Sequence, residues 1–258
     1  MIGVRSWAVL DEVDSTNDEV RRQLEAGAAH GCAVLARRQR AGRGRHGRRW
    51  VTAGEANLHL SVGLRHPLLV RHTGLVPLVA GVAVARALDP DAAHGVGLKW
   101  PNDIVVGERK LGGILCEGLP GRSGVEAVVV GVGINLAGDR DMLPAEIGGG
   151  AVTWSEVTGG AWPLEATAQR IRQEMLEGVD ALVSAPSTVR SAWSALDVLR
   201  GTWVKAQVGG VGVEGRAAGI AEDGALLLET MEGAVVRVVS GEVTRVRRAD
   251  SGGSAEGD

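Results

Sequence analysis

From Gly201 onward the chain consists of short apolar runs broken by glycine turns, whereas everything before it alternates strand-like and helix-like segments. That change of texture constrains the architecture more than any other feature. Trp203–Val208, Glu214–Ala221, Ala225–Glu229 and Val235–Val239 are too short for helices and are predicted to form a small β-barrel. Upstream, strands are predicted at Trp7–Leu10, Cys32–Ala36, Asn57–Leu64, Gly97–Trp100, Ile104–Val106, Lys110–Glu117 and Val125–Val132. The last is a run of apolar β-formers and so a central strand. Asp14-Ser15-Thr16-Asn17 offers N-caps for a helix reaching about Glu25, with Asp18 and Glu19 in the dipole-favoured first turn. Gly74–Leu88 reads as an apolar core helix, Leu164–Leu182 as a long amphipathic one and Ser187–Leu196 as a shorter one. The expected fold is therefore α+β, a mixed central β-sheet packed with helices followed by a small C-terminal barrel. Residues 1–198 form the first unit, 199–248 the barrel, and 249–258 a disordered tail of Ser, Gly and acid.

Composition matters because of what is missing. The chain has no Tyr and no Phe, and Lys occurs only at Lys99, Lys110 and Lys205. Where Arg supplies generic positive charge, a surviving Lys marks a need for a compact point charge. A net charge of -3 argues against a general nucleic-acid or membrane binder. Two distant cysteines, Cys32 and Cys116, make no disulfide framework and suit a reducing cytoplasm. No apolar run reaches the length of a membrane helix, and Met1–Arg5 does not begin a signal peptide.

The densest charge lies in Arg37-Arg38-Gln39-Arg40-Ala41-Gly42-Arg43-Gly44-Arg45-His46-Gly47-Arg48-Arg49-Trp50. Residues 37–56 carry no periodicity and are expected to form a loop. Its glycines let backbone approach a ligand, guanidinium groups bind phosphate oxygens bidentately, and Trp50 offers a face for a nucleobase. A solvated basic loop is the plain alternative, but it has little need of Trp50. Such a loop should repel itself when empty and become ordered over a nucleotide.

A second segment, Lys99-Trp100-Pro101-Asn102-Asp103, turns through Gly107-Glu108 into Lys110-Leu111-Gly112-Gly113-Ile114-Leu115. Asp103 is a hard ligand suited to Mg²⁺ alongside phosphate oxygens. Lys110, at a strand start, can hold a fixed cation towards a cleft. Gly112-Gly113 leaves room for a ligand against the backbone. A salt-bridged hairpin would be the alternative. Ser15, Thr16 and Asn17 could cap a helix or read an uncharged polar ring. Gly131-Val132-Gly133-Ile134-Asn135 lacks the third glycine and following helix of a dinucleotide fingerprint, so Asn135 reads as a cleft residue at a strand end. The six histidines form no ligand cluster.

In order and spacing these motifs resemble the biotin protein ligase family, over about residues 5–247. The resemblance implies a catalytic domain like that of class II aminoacyl-tRNA synthetases with a C-terminal SH3-like barrel. It implies that Ser15, Thr16, Asn17, Gln39 and the backbone near Gly42 and Arg43 meet biotin, with Gly113 and Ile114 beside it. Lys110 would hold the biotin carboxylate near the α-phosphate of ATP, with Arg45 and Arg48 as further catalytic cations that bind phosphates or retain the adenylate. Trp50, Asn102 and Asn135 would line the adenine side, and Asp103 would favour Mg²⁺. The implied acceptor is a lysine of a biotin carboxyl carrier protein. Some members carry an N-terminal DNA-binding domain; here Ser15 lies too near the start, so a monofunctional enzyme without DNA binding is expected. A homodimer through an exposed sheet edge is compatible with the sequence. The nearest rival is a lipoate or octanoate ligase of similar fold, which would want a longer apolar channel. A nucleic-acid-binding module using residues 37–50 is opposed by the net charge and by confinement of the basic residues to one loop.

Overall fold

A computed structural model describes residues 6–52, 57–121, 124–138, 150–160, 162–208 and 210–246. The expected tail at 249–258 lies outside the described residues. The first sheet has seven strands in the order β1-β2-β3-β7-β6-β5-β4. They are β1 (Trp7–Val13), β2 (Cys32–Gln39), β3 (Leu58–Leu64), β4 (Val96–Lys99), β5 (Asp103–Val106), β6 (Arg109–Gly121) and β7 (Gly124–Ile134). Only β1 and β2 run parallel, joined by the crossover helix α1 (Thr16–Glu25); the other neighbours are antiparallel. The sheet is thus mixed, as the sequence predicts.

Residue parity divides the two faces of the sheet, because successive side chains on a strand point opposite ways. Leu35, Leu58, Leu60, Val130, Val132, Leu98 and Ile104 face the main core. There they meet α2 (Val76–Leu88), buried along nearly its whole surface, together with α4 (Leu164–Ser184) and α5 (Pro186–Leu196). A Cβ on Gly81 of α2 would stand 3.0 Å from Trp193 of α5, so the missing side chain is what lets that helix pair close. On the opposite face, Cys32, Val34, Ala127 and Val129 pack against Val20 and Leu24 of α1. Further along that face, α1 gives way to an open cavity.

The second sheet has the order β11-β10-β9-β8-β12 and is wholly antiparallel: β8 (Trp203–Val208), β9 (Val211–Ile220), β10 (Leu226–Glu229), β11 (Val235–Val238) and β12 (Val243–Arg245). It curls enough for β11 to approach β8. It also packs on the first sheet: Trp100 donates its indole N–H to Gly224 O at 3.0 Å, and a Cβ on Gly74 would stand 2.3 Å from Asp223 O.

Three elements differ from expectation. β2 continues through Arg37-Arg38-Gln39, because Asp11 and Glu12 on the parallel neighbour pair with those arginines. The short α3 (Trp154–Thr158) is started by a full capping box from Thr153 and Glu156, a signal between Gly150 and Gly159 that is easily overlooked. β12 is too short and too charged to stand out by period. No helix among the described residues is long and apolar enough to cross a membrane.

Candidate active site

The cavity on the α1 face has a volume of about 460 Å³. Its floor is flat because glycine occupies the cavity-facing positions where strands are paired. Gly113 of β6 lies opposite Gly133 of β7, and Gly131 follows at the next same-face position. The spacing of Gly131 and Gly133, discarded as a nucleotide fingerprint, therefore has a strand meaning: two missing side chains on one face. The next pairings outward are Gly133 with His59 and Gly113 with Asp103, which in turn faces Lys99. One row across the sheet thus runs from a neutral polar group, over bare backbone, to charge.

The neutral end is a hydrogen-bonded cluster. Ser15 occupies the N-cap of α1, yet its hydroxyl makes no capping bond and it is buried. The Thr16 amide donates to Gln39 Oε1 at 2.9 Å, and the Thr16 hydroxyl reaches the same oxygen at 3.1 Å. Ser61 of β3 places its single hydroxyl hydrogen between Thr16 Oγ1 at 2.7 Å and Asn17 Oδ1 at 2.6 Å. With Gln39 Oε1 accepting, its Nε2 donates, and His59 Nδ1 at 3.3 Å must accept; His59 is therefore the neutral tautomer with its proton on Nε2. Burial pushes its pKa down from 6.5 to about 4.

This sets a pH dependence. The neutral form is favoured by folding, so the stabilisation is complete above about pH 6.5 and declines as pH falls towards 4. The expected loss is on the order of 3 kcal/mol. Thermal melts between pH 7 and 4 should show a shallower acid decline for His59→Gln than for the parent; equal slopes would refute the assignment.

At the charged end, Lys110 Nζ lies 2.6 Å from Asp103 Oδ1. The backbone of Lys110 is itself braced: its N–H donates to Gly150 O and its carbonyl accepts from Val152 N–H. Asn135 is buried, and its amide reaches the carbonyls of Lys110 and Val152, each at 3.5 Å. Asn102 donates to Ile114 O at 2.8 Å and accepts from Arg45 at 3.2 Å, so it sets the direction of that guanidinium. Burial lowers the pKa of Arg45 from its ordinary value.

The Arg-Gly segment is a small hairpin. Arg43 bridges Arg49, Gly44 N–H donates to Arg48 O at 2.7 Å, and Trp50 N–H donates to Gly42 O at 2.9 Å. Its turn needs left-handed backbone at His46 (φ 56°) and Gly47 (φ 73°). Most of its guanidinium groups have acidic partners. Arg37 meets Asp11, Arg38 and Arg40 meet Glu12, Arg43 meets Asp18 and Glu117, and Arg48 meets Glu242, just before β12. Arg45 also donates to Gly241 O. Trp50 lies flat on the glycine floor: a Cβ on Gly133 would stand 2.6 Å from its ring. Lys110 Nζ stands 5.9 Å from the ring centroid, within cation–π range.

Fourteen of the fifteen residues singled out in the sequence therefore line one cavity: Ser15, Thr16, Asn17, Gln39, Arg43, Arg45, Arg48, Trp50, Asn102, Asp103, Lys110, Gly113, Ile114 and Asn135. Ile114 does so with its side chain turned into the core. Gly42 is not in the lining; a Cβ there would stand 3.1 Å from Gln39 Nε2, so it makes room for Gln39. Sequence reasoning missed His59, Ser61, Asp18, Glu117 and Glu242. Of these, Ser61 carried a signal: it continues the polar alternation Asn57, His59, Ser61, which is buried rather than turned to solvent.

A cavity with an uncharged polar end, a glycine floor covered by the Trp50 ring and a cationic end suits an enzyme that brings two anions together beside a neutral ring. The profile described as the Biotin/lipoate A/B protein ligase family matches residues 9–135, and that described as the Biotin protein ligase C terminal domain matches 203–245. The chain is 35% identical over 242 residues to the bifunctional ligase/repressor BirA of Escherichia coli, covering 93% of this chain and 74% of that one. It is 32% identical over 251 residues to the biotin–[acetyl-CoA-carboxylase] ligase of Mycobacterium tuberculosis, covering 95% and 91%. The solved biotin protein ligase from Aquifex aeolicus, in complex with biotin and ATP, superposes with a TM-score of 0.80 at 31% identity, covering 95% of this chain and 100% of that one. The chain belongs to the biotin protein ligase family and is an enzyme of that class.

Proposed function

We propose that this enzyme joins biotin to ATP as biotinyl-5′-AMP and then transfers biotin to a lysine of a biotin carboxyl carrier protein. The observation that carries this reading is the meeting of the neutral cluster and the four cations Arg45, Arg48, Lys99 and Lys110 in one cavity. The ureido ring of biotin sits with Ser15, Thr16, Asn17 and Gln39, and its tail passes beside Gly113 and Ile114. Lys110 holds the carboxylate, while Arg45 and Arg48 hold phosphate oxygens; Trp50, Asn102 and Asn135 lie on the adenine side.

The carboxylate oxygen attacks the α-phosphorus, the bond to the bridging oxygen breaks, and pyrophosphate leaves. The neutral amine of the acceptor then attacks the acyl carbon, AMP leaves, and the nitrogen sheds a proton. The protein's main electrostatic task is to offset repulsion between carboxylate and triphosphate. Mg²⁺ would be held by Asp103, whose Oδ1 accepts from Lys110 Nζ at 2.6 Å, together with the phosphates of ATP. When bound it would neutralise phosphate charge. Residues 1–198 carry this chemistry in our reading, and 199–248 close the site from outside. The enzyme acts in the cytoplasm, and the β1 edge is where a homodimer would form.

Titration calorimetry with biotin and with lipoate, each with and without ATP and magnesium, tests the assignment. Tight, ATP-enhanced binding of biotin is expected; a preference for lipoate would overturn it. A second expectation concerns the adenylate. Arg45→Gly removes a charge-assisted contact and should speed adenylate escape about tenfold. Biotin should then appear on lysines of a bystander protein, read by peptide mass spectrometry. An unchanged labelling pattern would remove Arg45 from that role.

A further inference from the structure

Three oxygen–oxygen contacts link the neutral cluster, and they share two hydroxyl hydrogens. Thr16 Oγ1 lies 3.1 Å from Gln39 Oε1 and 2.7 Å from Ser61 Oγ, while Ser61 Oγ lies 2.6 Å from Asn17 Oδ1. Gln39 Oε1 and Asn17 Oδ1 only accept, so Thr16 and Ser61 supply every hydrogen. One contact must therefore go without. Hydroxyl donors sit about 2.7–2.8 Å from their acceptors, which makes the longest contact, between Thr16 and Gln39, the one left out. The Thr16 hydrogen then points to Ser61, and the Ser61 hydrogen to Asn17. Gln39 Oε1 keeps the Thr16 backbone N–H at 2.9 Å. Two acceptor oxygens, Thr16 Oγ1 and Gln39 Oε1, are left side by side in residues that line the cavity. A ligand N–H directed between them supplies the missing hydrogen.

The direction of this chain is decided at its far end. An Asn side chain can turn either its oxygen or its NH₂ towards Ser61. With the NH₂ there, both hydroxyl hydrogens would shift one contact along, and the Thr16 hydrogen would fill the gap towards Gln39. Glu117 of β6 holds the amide the other way. Its Oε2 accepts from Asn17 Nδ2 at 2.7 Å, and an ionised carboxylate has no hydrogen to give back. The Leu115 carbonyl, a second pure acceptor, faces the same nitrogen at 3.5 Å. Arg43 and Arg21 also meet Glu117, at 3.2 and 3.8 Å. The links from Thr16 to Glu117 lie on α1, β3 and β6 alone. We propose that Glu117 is a positioning residue that sets the direction of the chain: it holds the Asn17 amide so that Thr16 Oγ1 and Gln39 Oε1 meet the ligand as acceptors and read a ring N–H of biotin. The proposal rests on the biotin reading above, and Glu117 itself need not touch biotin.

The test is calorimetry on the full chain with biotin and with the two cyclic carbamates in which oxygen replaces one ring N–H or the other. The parent should bind at least one carbamate about tenfold more weakly than biotin, the scale of a hydrogen bond whose acceptor is left unpaired. Glu117→Met removes the acceptor that orients Asn17, and the same ratio should fall to about threefold or less. Glu117→Gln keeps a carbonyl for Asn17 but loses the charge that meets Arg43 and Arg21, so it should hold the parent's ratio. A residue acting only through its arginines would give the same ratio in both variants, and that result overturns the proposal. Ser61→Ala breaks the chain in the middle and should lose the ratio as Glu117→Met does. If Glu117→Met melts more than a few degrees early, Ser61→Ala carries the comparison, and an unchanged ratio there also overturns the proposal. A parent that binds biotin but discriminates against neither carbamate sinks the proposal alone. A parent that prefers lipoate sinks the biotin reading with it.

Discussion

Lys110→Ala should lower the rate of biotin-dependent pyrophosphate release at least a hundredfold. The side chain is a single compact ammonium on a strand whose backbone is held by Gly150 and Val152, so its position is fixed before reaction. Losing one fixed partner of a developing charge costs a factor of about 10²–10³ in rate. Two further consequences deepen the effect. Asp103 loses its 2.6 Å partner, so its carboxylate is less firmly placed. Trp50 loses the cation near its ring, so the floor is less firmly covered. The Asp103 contribution is separable. Asp103→Asn combined with Lys110→Ala should be less impaired than the sum of the two changes, because each change alone already breaks the contact between them. Single-turnover measurements with saturating biotin distinguish lost chemistry from lost binding. Near-normal pyrophosphate release by Lys110→Ala would remove the residue from the mechanism.

Much of this site could be read from the sequence, for a physical reason. Residues fixed by backbone demands or by ligand charge leave local marks. The Arg-Gly-Trp hairpin, the Lys-Trp-Pro-Asn-Asp turn and the Ser-Thr-Asn helix start are all contiguous, and they line one cavity. The residues that orient them are scattered and individually ordinary. Glu117 lies far along the chain from Arg43, Glu242 sits just before β12 of the other sheet, and nothing local distinguishes either from a solvated acid. For the same reason the arginine loop reads as self-repelling in sequence, while its neutralising acids arrive only through tertiary structure. Strand ends were misjudged where cross-strand ion pairs extend pairing beyond the apolar run, as at Arg37–Gln39. Asn102 and Asn135 illustrate a subtler shift. Both line the cavity as expected, but their amide groups are largely engaged with backbone carbonyls and Arg45, so part of what they do is to hold other residues.

Gly131→Val should weaken biotin binding by a hundredfold or more. A Cβ at that position would stand 2.4 Å from Asn17 Oδ1, closer than packed atoms tolerate. A flexible surface side chain could swing away, but Asn17 is held by Ser61 at 2.6 Å and by Glu117 at 2.7 Å, and it is buried on α1. Relief therefore requires either breaking those bonds or shifting the start of α1. Both routes dismantle the neutral end of the cavity, and the branched side chain also fills the floor. The comparison with Gly133 is informative. A Cβ there meets the Trp50 ring at 2.6 Å, yet Trp50 lies on a loop hairpin whose ion pairs are part-exposed, and it can yield more easily than a side chain buried on α1. Gly133→Ala should therefore cost less, and more for ATP than for biotin. Gly118→Ala on the neighbouring strand, where the nearest atom stands 3.4 Å away, controls for general loss of strand flexibility. Calorimetry with biotin alone, alongside melting curves, separates the outcomes. If Gly131→Val binds biotin within threefold of the parent, biotin does not lie against this floor, and the cavity must hold its ligands in another order.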